Sequence, residues 1–292
     1  MSAENQSSES SIAPSAPSAF QVPSASPGRV LRSQKSKTPL PPTGQQLFYI
    51  LKQNLLQTNG PGFIEWRDTP PLIGCTVAKS LSEDPQVERR SVRISHNPIN
   101  QTLMLKMPSH THEVILKWAS NELFCAGITG FFTMADLNDI SLSASCRFDN
   151  RPTSFYKEPD VVFVYGPGEL PTVVVEVGYS QAWPSLLEDR NMWFKSAATV
   201  NVVILVKWNK RAQNKVAGYL EIFRRGAPAP THIDIFPQPI TPQTFTLHRG
   251  DFYPPGTALP PGRNPNDLWT WDTNNLRIRA TRAINVDDMV PA

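Results

Sequence analysis

The sequence predicts an α/β (α+β) protein, with a mixed central β-sheet flanked by helices. Three observations carry this expectation. Segments with helical spacing alternate along the chain with short Val-rich apolar runs, the order that places helices against a sheet. The middle runs, 159–166 and 172–180, are largely apolar and read as buried strands. No internal repeat is present, which excludes a solenoid.

The elements follow in chain order. In residues 1–44, 18 positions are Ser or Pro, and Phe20 is the one aromatic. Such a segment buries too little apolar surface to offset its ordering entropy and is expected to be a disordered arm. Its basic cluster 29–37 precedes Thr38-Pro39. It reads either as an import or docking segment tunable by phosphorylation, or as a solvated linker. Order is expected from residue 45 to 253. Leu47, Ile50, Leu51 and Leu55 give 45–57 a helical face, stopped by Gly60-Pro61-Gly62. Segments 87–97 and 101–108 read as two strands joined through Asn97-Pro98. Residues 109–127 form the strongest helix signal, with Ser109 as N-cap and Gly127 as stop. Strands are expected over 141–149, 159–166, 172–180 and 201–208. A helix over 183–198 has Pro184 in its first turn. Segments 217–226 and 243–252 add antiparallel strands. Residues 254–292 are rich in Pro, Asn and Asp and are expected as a loosely packed tail, with Leu268, Trp269 and Trp271 able to dock.

Bulk properties narrow the function classes. The net charge is +3, and residues 1–44 carry +2 of it. The remaining chain is nearly neutral, so a broad basic nucleic-acid footprint is absent. Three scattered cysteines without a CxxC pair argue against a disulfide framework or a Cys-based zinc site. No apolar run reaches the roughly 18 residues of a membrane span, and no signal-peptide pattern opens the chain. These features point to an intracellular protein, nuclear or cytoplasmic, with no membrane partner. GxGxxG, P-loop, HExxH and GxSxG motifs are all missing, which removes the usual signatures of nucleotide binding, zinc proteolysis and serine hydrolysis. His110 and His112 stand two apart on an expected helix, so their rings diverge and make no metal pair.

One pattern carries chemistry. Pro159-Asp160 opens an apolar strand, and Glu176 interrupts the run Val173-Val174-Val175-Glu176-Val177. A carboxylate in a buried strand is costly unless it is paired or holds a cation. If the two strands are neighbours, Asp160 and Glu176 converge at one end of the sheet. Two carboxylates with a backbone carbonyl such as that of Val177 make a hard-oxygen set suited to Mg²⁺ or Mn²⁺. The alternative is a structural pair, with Asp160 capping a turn and Glu176 paired to Arg190 or Lys195.

Pro159-Asp160…Glu176-Val177-Gly178, between helices at 109–127 and 183–198, resembles the PD-(D/E)XK, or restriction-endonuclease-like, superfamily over residues 87–210. The resemblance implies a restriction-endonuclease-like core and Mg²⁺-dependent hydrolysis of phosphodiester bonds in nucleic acid. It implies Asp160, Glu176 and the Val177 carbonyl as metal ligands. Glu113 matches the acidic residue that many members place beside the metal. The motif lysine is replaced by Gly178. In branches where that lysine has moved to the following helix, Lys195 or Arg190 would supply the positive charge, and only Lys195 can act as a base. Gln181 is a candidate for orienting water. The same departure at Gly178 admits a catalytically inactive fold that binds nucleic acid or protein.

Overall fold

The computed structural model describes residues 41–144, 146–150 and 154–292. Most of the expected arm, residues 1–40 with the basic cluster 29–37, lies outside the described residues. In chain order the elements are α1 (Gly44–Gln57), β1 (Gly62–Trp66), α2 (Pro71–Ser82), α3 (Pro85–Glu88), β2 (Arg93–Asn97), β3 (Thr102–Met107), α4 (His110–Ile128), α5 (Met134–Asp139), β4 (Ile140–Ser143), β5 (Phe148–Asn150), β6 (Phe155–Lys157), β7 (Val161–Tyr165), β8 (Leu170–Gly178), α6 (Trp183–Ser196), β9 (Val202–Lys210), β10 (Lys215–Arg224), β11 (Thr231–Phe236), β12 (Phe245–His248), β13 (Leu268–Trp271), α7 (Thr273–Val286) and β14 (Val290–Pro291). The fold is mixed α+β, as the sequence predicts.

Among the described residues the strands form three sheets, and the largest is the mixed one. β1-β3-β2-β6-β5 form an antiparallel sheet, and β12-β13 form a separate pair. The main sheet runs β11-β10-β9-β8-β7-β4, with β14 added beside β10. Within it β8 and β9 are parallel, joined by α6, and β7 pairs β8 antiparallel. The main sheet is covered on both faces. Val173, Val175 and Val177 pack with Ile115 and Trp118 of α4 and with Leu276 and Ile284 of α7. Val174, Leu205 and Val203 pack on the other side with Leu186, Met192 and Trp193 of α6. This explains the unbroken apolar runs: side chains alternate between faces, and both faces are core. The five-stranded sheet has its own core, with Leu47, Leu51 and Leu55 of α1 and Val77 and Leu81 of α2.

The local signals act as expected at several ends. The Ser109 side chain accepts from the His112 backbone and starts α4, and Thr43 closes a capping box with Gln46 on α1. Pro184 occupies the first turn of α6.

Residues 254–292 are not a loose tail. Trp271 is buried, and Leu276, Ala280 and Ile284 of α7 lie in the main core. The tail is also tied to α4 by polar contacts. Trp118 Nε1 donates to the Asp272 carbonyl, and Glu122 accepts from Trp269 Nε1 and the Asp272 backbone. Among the described residues, no helix is long and apolar enough to cross a membrane.

Candidate functional site: a buried carboxylate–lysine cluster

Asp160 precedes β7, and Glu176 lies near the end of β8. Antiparallel pairing of Val161 with Val175 sets the two carboxylates at one end of the sheet. Asp160 is 4% exposed and Glu176 fully buried. The Lys106 ammonium, arriving from β3 of the other sheet, touches both. It lies 2.8 Å from Asp160 Oδ2 and 3.8 Å from Glu176 Oε2, and it donates to the Val177 carbonyl at 3.0 Å. Asp160 Oδ2 also accepts from the Val177 backbone N–H at 2.7 Å. Oxygens of Asp160, Glu176 and Val177 thus meet at one point, and the group there is a lysine.

A second lysine completes the cluster. Lys157 of β6 is buried, 2.9 Å from Asp189 Oδ1 and 3.3 Å from Glu176 Oε1. Trp193 Nε1 donates to the same Glu176 oxygen at 2.7 Å. Gln181 Nε2 donates to Asp189 Oδ2 and to Ser185 Oγ, so its amide is committed to the α6 side. On the other flank, His112 Nε2 is 3.2 Å from Asp160 Oδ1, at an angle that forms no hydrogen bond. Glu113 pairs with Arg93 at 3.2 Å and lies 3.8 Å from His112 Nδ1. Glu113 thus approaches Asp160 through His112.

The charges set each other's protonation. Burial raises the Asp160 carboxyl, but the charges of His112 and Lys106 and the hydrogen bond from Lys106 outweigh it, holding Asp160 well below the usual carboxylate range. Burial pushes Glu176 up to about 7. Lys157 opposes this, while the neighbouring Asp189 and Asp160 charges add to it. Burial works against the Lys157 ammonium, but Asp189 and Glu176 prevail and hold it protonated. Burial likewise lowers His112, and Asp160 more than reverses it, so His112 is raised. Glu113 is lowered by His112 first, against burial, with Arg93 helping.

Two expected residues are placed elsewhere. Lys195 is exposed in the last turn of α6 and makes no ion pair with either carboxylate. The reason is helical geometry: Trp193 points at Glu176, and a residue two positions later is turned by about 200°. Arg190 stacks on Phe223 at 4.5 Å and binds Asn191, so it does not pair with Glu176 either. Gly178 cannot simply carry the motif lysine, because a Cβ there would lie 2.5 Å from Leu186 Cδ1 of α6. Lys207, paired in register with Gly178, instead donates to the carbonyls of Tyr179 and Gln181.

Lys106, Lys157, His112 and Asp189 are the site residues that sequence reasoning missed. The divergence of His110 and His112 is as expected: His110 is exposed and binds Asp287, while His112 turns inward. Two surface openings adjoin the cluster. A cavity of about 10 Å³ is lined by Lys106, His112, Tyr179 and Gln181, room for one water at most. A larger groove of about 680 Å³, lined by Arg90, Arg93, His110 and Glu113, lies beside it.

Two carboxylates and a backbone carbonyl face the Lys106 ammonium. Asp160 Oδ1 and Glu176 Oε2 are buried acceptors without a hydrogen-bond partner, and the Val177 carbonyl accepts from Lys106. Among the described residues, no group of three or more His, Cys, Asp or Glu side chains is arranged to hold a metal. In comparisons with protein-family models and with curated proteins, nothing matches this chain.

Proposed function

We propose that the chain is a restriction-endonuclease-like protein whose carboxylate site serves Mg²⁺- or Mn²⁺-dependent hydrolysis of phosphodiester bonds in nucleic acid. The observation that carries this reading is the convergence of Asp160, Glu176 and the Val177 carbonyl on one point at the end of the main sheet. Those three groups would hold the ion, which when bound polarises a phosphate and activates water. Lys106, not Lys195, provides the cationic side chain at the carboxylates. Protonated His112 keeps Asp160 ionised, and Glu113 holds His112 in turn. The groove lined by Arg90, Arg93 and His110 offers cations to a phosphate backbone beside the site. The scattered cysteines support an intracellular setting, nuclear or cytoplasmic.

The test is calorimetric titration of the full chain with Mn²⁺, beside an Asp160→Asn/Glu176→Gln variant that keeps side-chain shape. Labelled DNA and RNA are incubated with both proteins in parallel. Metal binding and cleavage in the wild type alone are expected. Equal cleavage by the two proteins would refute the assignment.

A second reading is favoured by a specific observation. Lys106, Lys157 and His112 already balance the buried carboxylates, and the adjoining cavity admits no hydrated ion. On this reading the fold is catalytically inactive and binds nucleic acid or protein. Metal-independent nucleic-acid binding that weakens steeply with salt would favour it.

A further inference from the structure

Lys106 occupies a place that its own strand does not require. It sits on β3 directly across from Arg93 of β2, and two cations side by side on a sheet repel each other. The arrangement holds because each faces an acid on another element: Arg93 faces Glu113, and Lys106 faces Asp160. The Lys106 ammonium contacts the same three groups that form the hard-oxygen set: Asp160 Oδ2, the Val177 carbonyl and, at 3.8 Å, Glu176 Oε2, a buried oxygen with no hydrogen-bond partner. An ion held by those oxygens at about 2.0–2.2 Å could not share the space with an ammonium. Lysine carries its charge on a flexible four-carbon stem, and Lys106 also lines the small cavity that opens past Gln181 and Tyr179.

We propose that Lys106 is a tethered competitor for the divalent-cation position, so that the site is latched until its ammonium swings out toward that cavity. The inference rests on the metal-site reading above. In the latched form the carboxylates are neutralised internally, and the cavity of about 10 Å³ excludes a hydrated ion. Anything that draws the ammonium away, such as a phosphate group arriving along the neighbouring groove, would open the oxygen set to metal.

The experiment compares the full-length wild type with Lys106→Met and Lys106→Met/Glu176→Gln. Mn²⁺ is titrated by calorimetry, and melting is followed with and without Mn²⁺. Removing the competitor is expected to tighten Mn²⁺ binding at least tenfold. The Lys106→Met protein should melt lower than wild type without metal and recover with Mn²⁺, because a ligand bound only by the folded state stabilises it. Both effects should vanish in the double variant. Equal Mn²⁺ affinity in wild type and Lys106→Met would overturn the latch and leave the metal site standing. Absence of binding in both would overturn the metal site and the latch together. Should Lys106→Met be unfolded without metal, refolding on Mn²⁺ addition, read by circular dichroism, supports the latch, and failure to refold refutes it.

Discussion

Replacing Lys157 by Met tests whether the charge cluster holds the two halves of the fold together. Lys157 belongs to the five-stranded sheet, while its partners Glu176 and Asp189 belong to β8 of the main sheet and to α6. Methionine nearly preserves the stem and removes the charge. Both carboxylates are fully buried, so neither regains water when the ammonium is lost. Breaking a buried pair by deleting one partner costs about 3–5 kcal/mol. Here one deletion strands two acids, which places the expected loss at the upper end of that range. Urea unfolding at pH 8 measures it. The loss should shrink at pH 5, and the sign follows from Glu176. Its folded pKa, about 7, is already raised above the unfolded value, so its protonated form favours the folded state. That stabilisation is present below the unfolded pKa near 4.3 and is lost as pH rises through the folded value. Without Lys157 the folded value rises further, which deepens the penalty at high pH and spares the protein at low pH. A double-mutant cycle with Asp189→Asn should show coupling above about 1 kcal/mol. A loss below about 1 kcal/mol at pH 8, with no coupling to Asp189, would refute the reasoning.

Two further outcomes probe the frame around the site. Gly178→Ala forces a methyl to within 2.5 Å of Leu186 Cδ1 and should destabilise by about 1–3 kcal/mol through overpacking; an unchanged urea midpoint would show that α6 yields freely. Asp287→Ala removes a carboxylate that accepts from the His110 and Thr111 backbone at the start of α4. It should cost about 0.5–2 kcal/mol, as the loss of a helix cap does, with faster amide exchange in the first turn of α4.

The legible and illegible parts of the sequence divide along a physical line. The carboxylates were visible against apolar runs: Asp160 opens one, and Glu176 stands among valines, where a charge demands a partner. Their partners were invisible for the opposite reason. Lys106 lies in Thr102–Met107 and Lys157 in Phe155–Lys157, short strands in which a lysine reads as an ordinary solvent-facing residue. Only the packing of one sheet end against the other turns both inward. The same limit applies to α7. Leu276, Ala280 and Ile284 recur at helical spacing and are fully buried, but the Arg and Thr residues between them mask the stripe. The Pro-rich stretch before it reads as the beginning of a tail.

The lysines and carboxylates also explain why the cluster is a stronger functional signal than its composition suggests. If the acids served only to join the sheets, apolar side chains of similar volume would do so at equal or lower cost, because a buried ion pair seldom repays its desolvation. The cluster also leaves Asp160 Oδ1, Glu176 Oε2, both ring nitrogens of His112 and Gln181 Oε1 buried without hydrogen-bond partners. Such orphaned groups are few in native proteins, and here they are concentrated where β3, α4, β7 and β8 meet. A purely structural clasp would gain by satisfying or removing them.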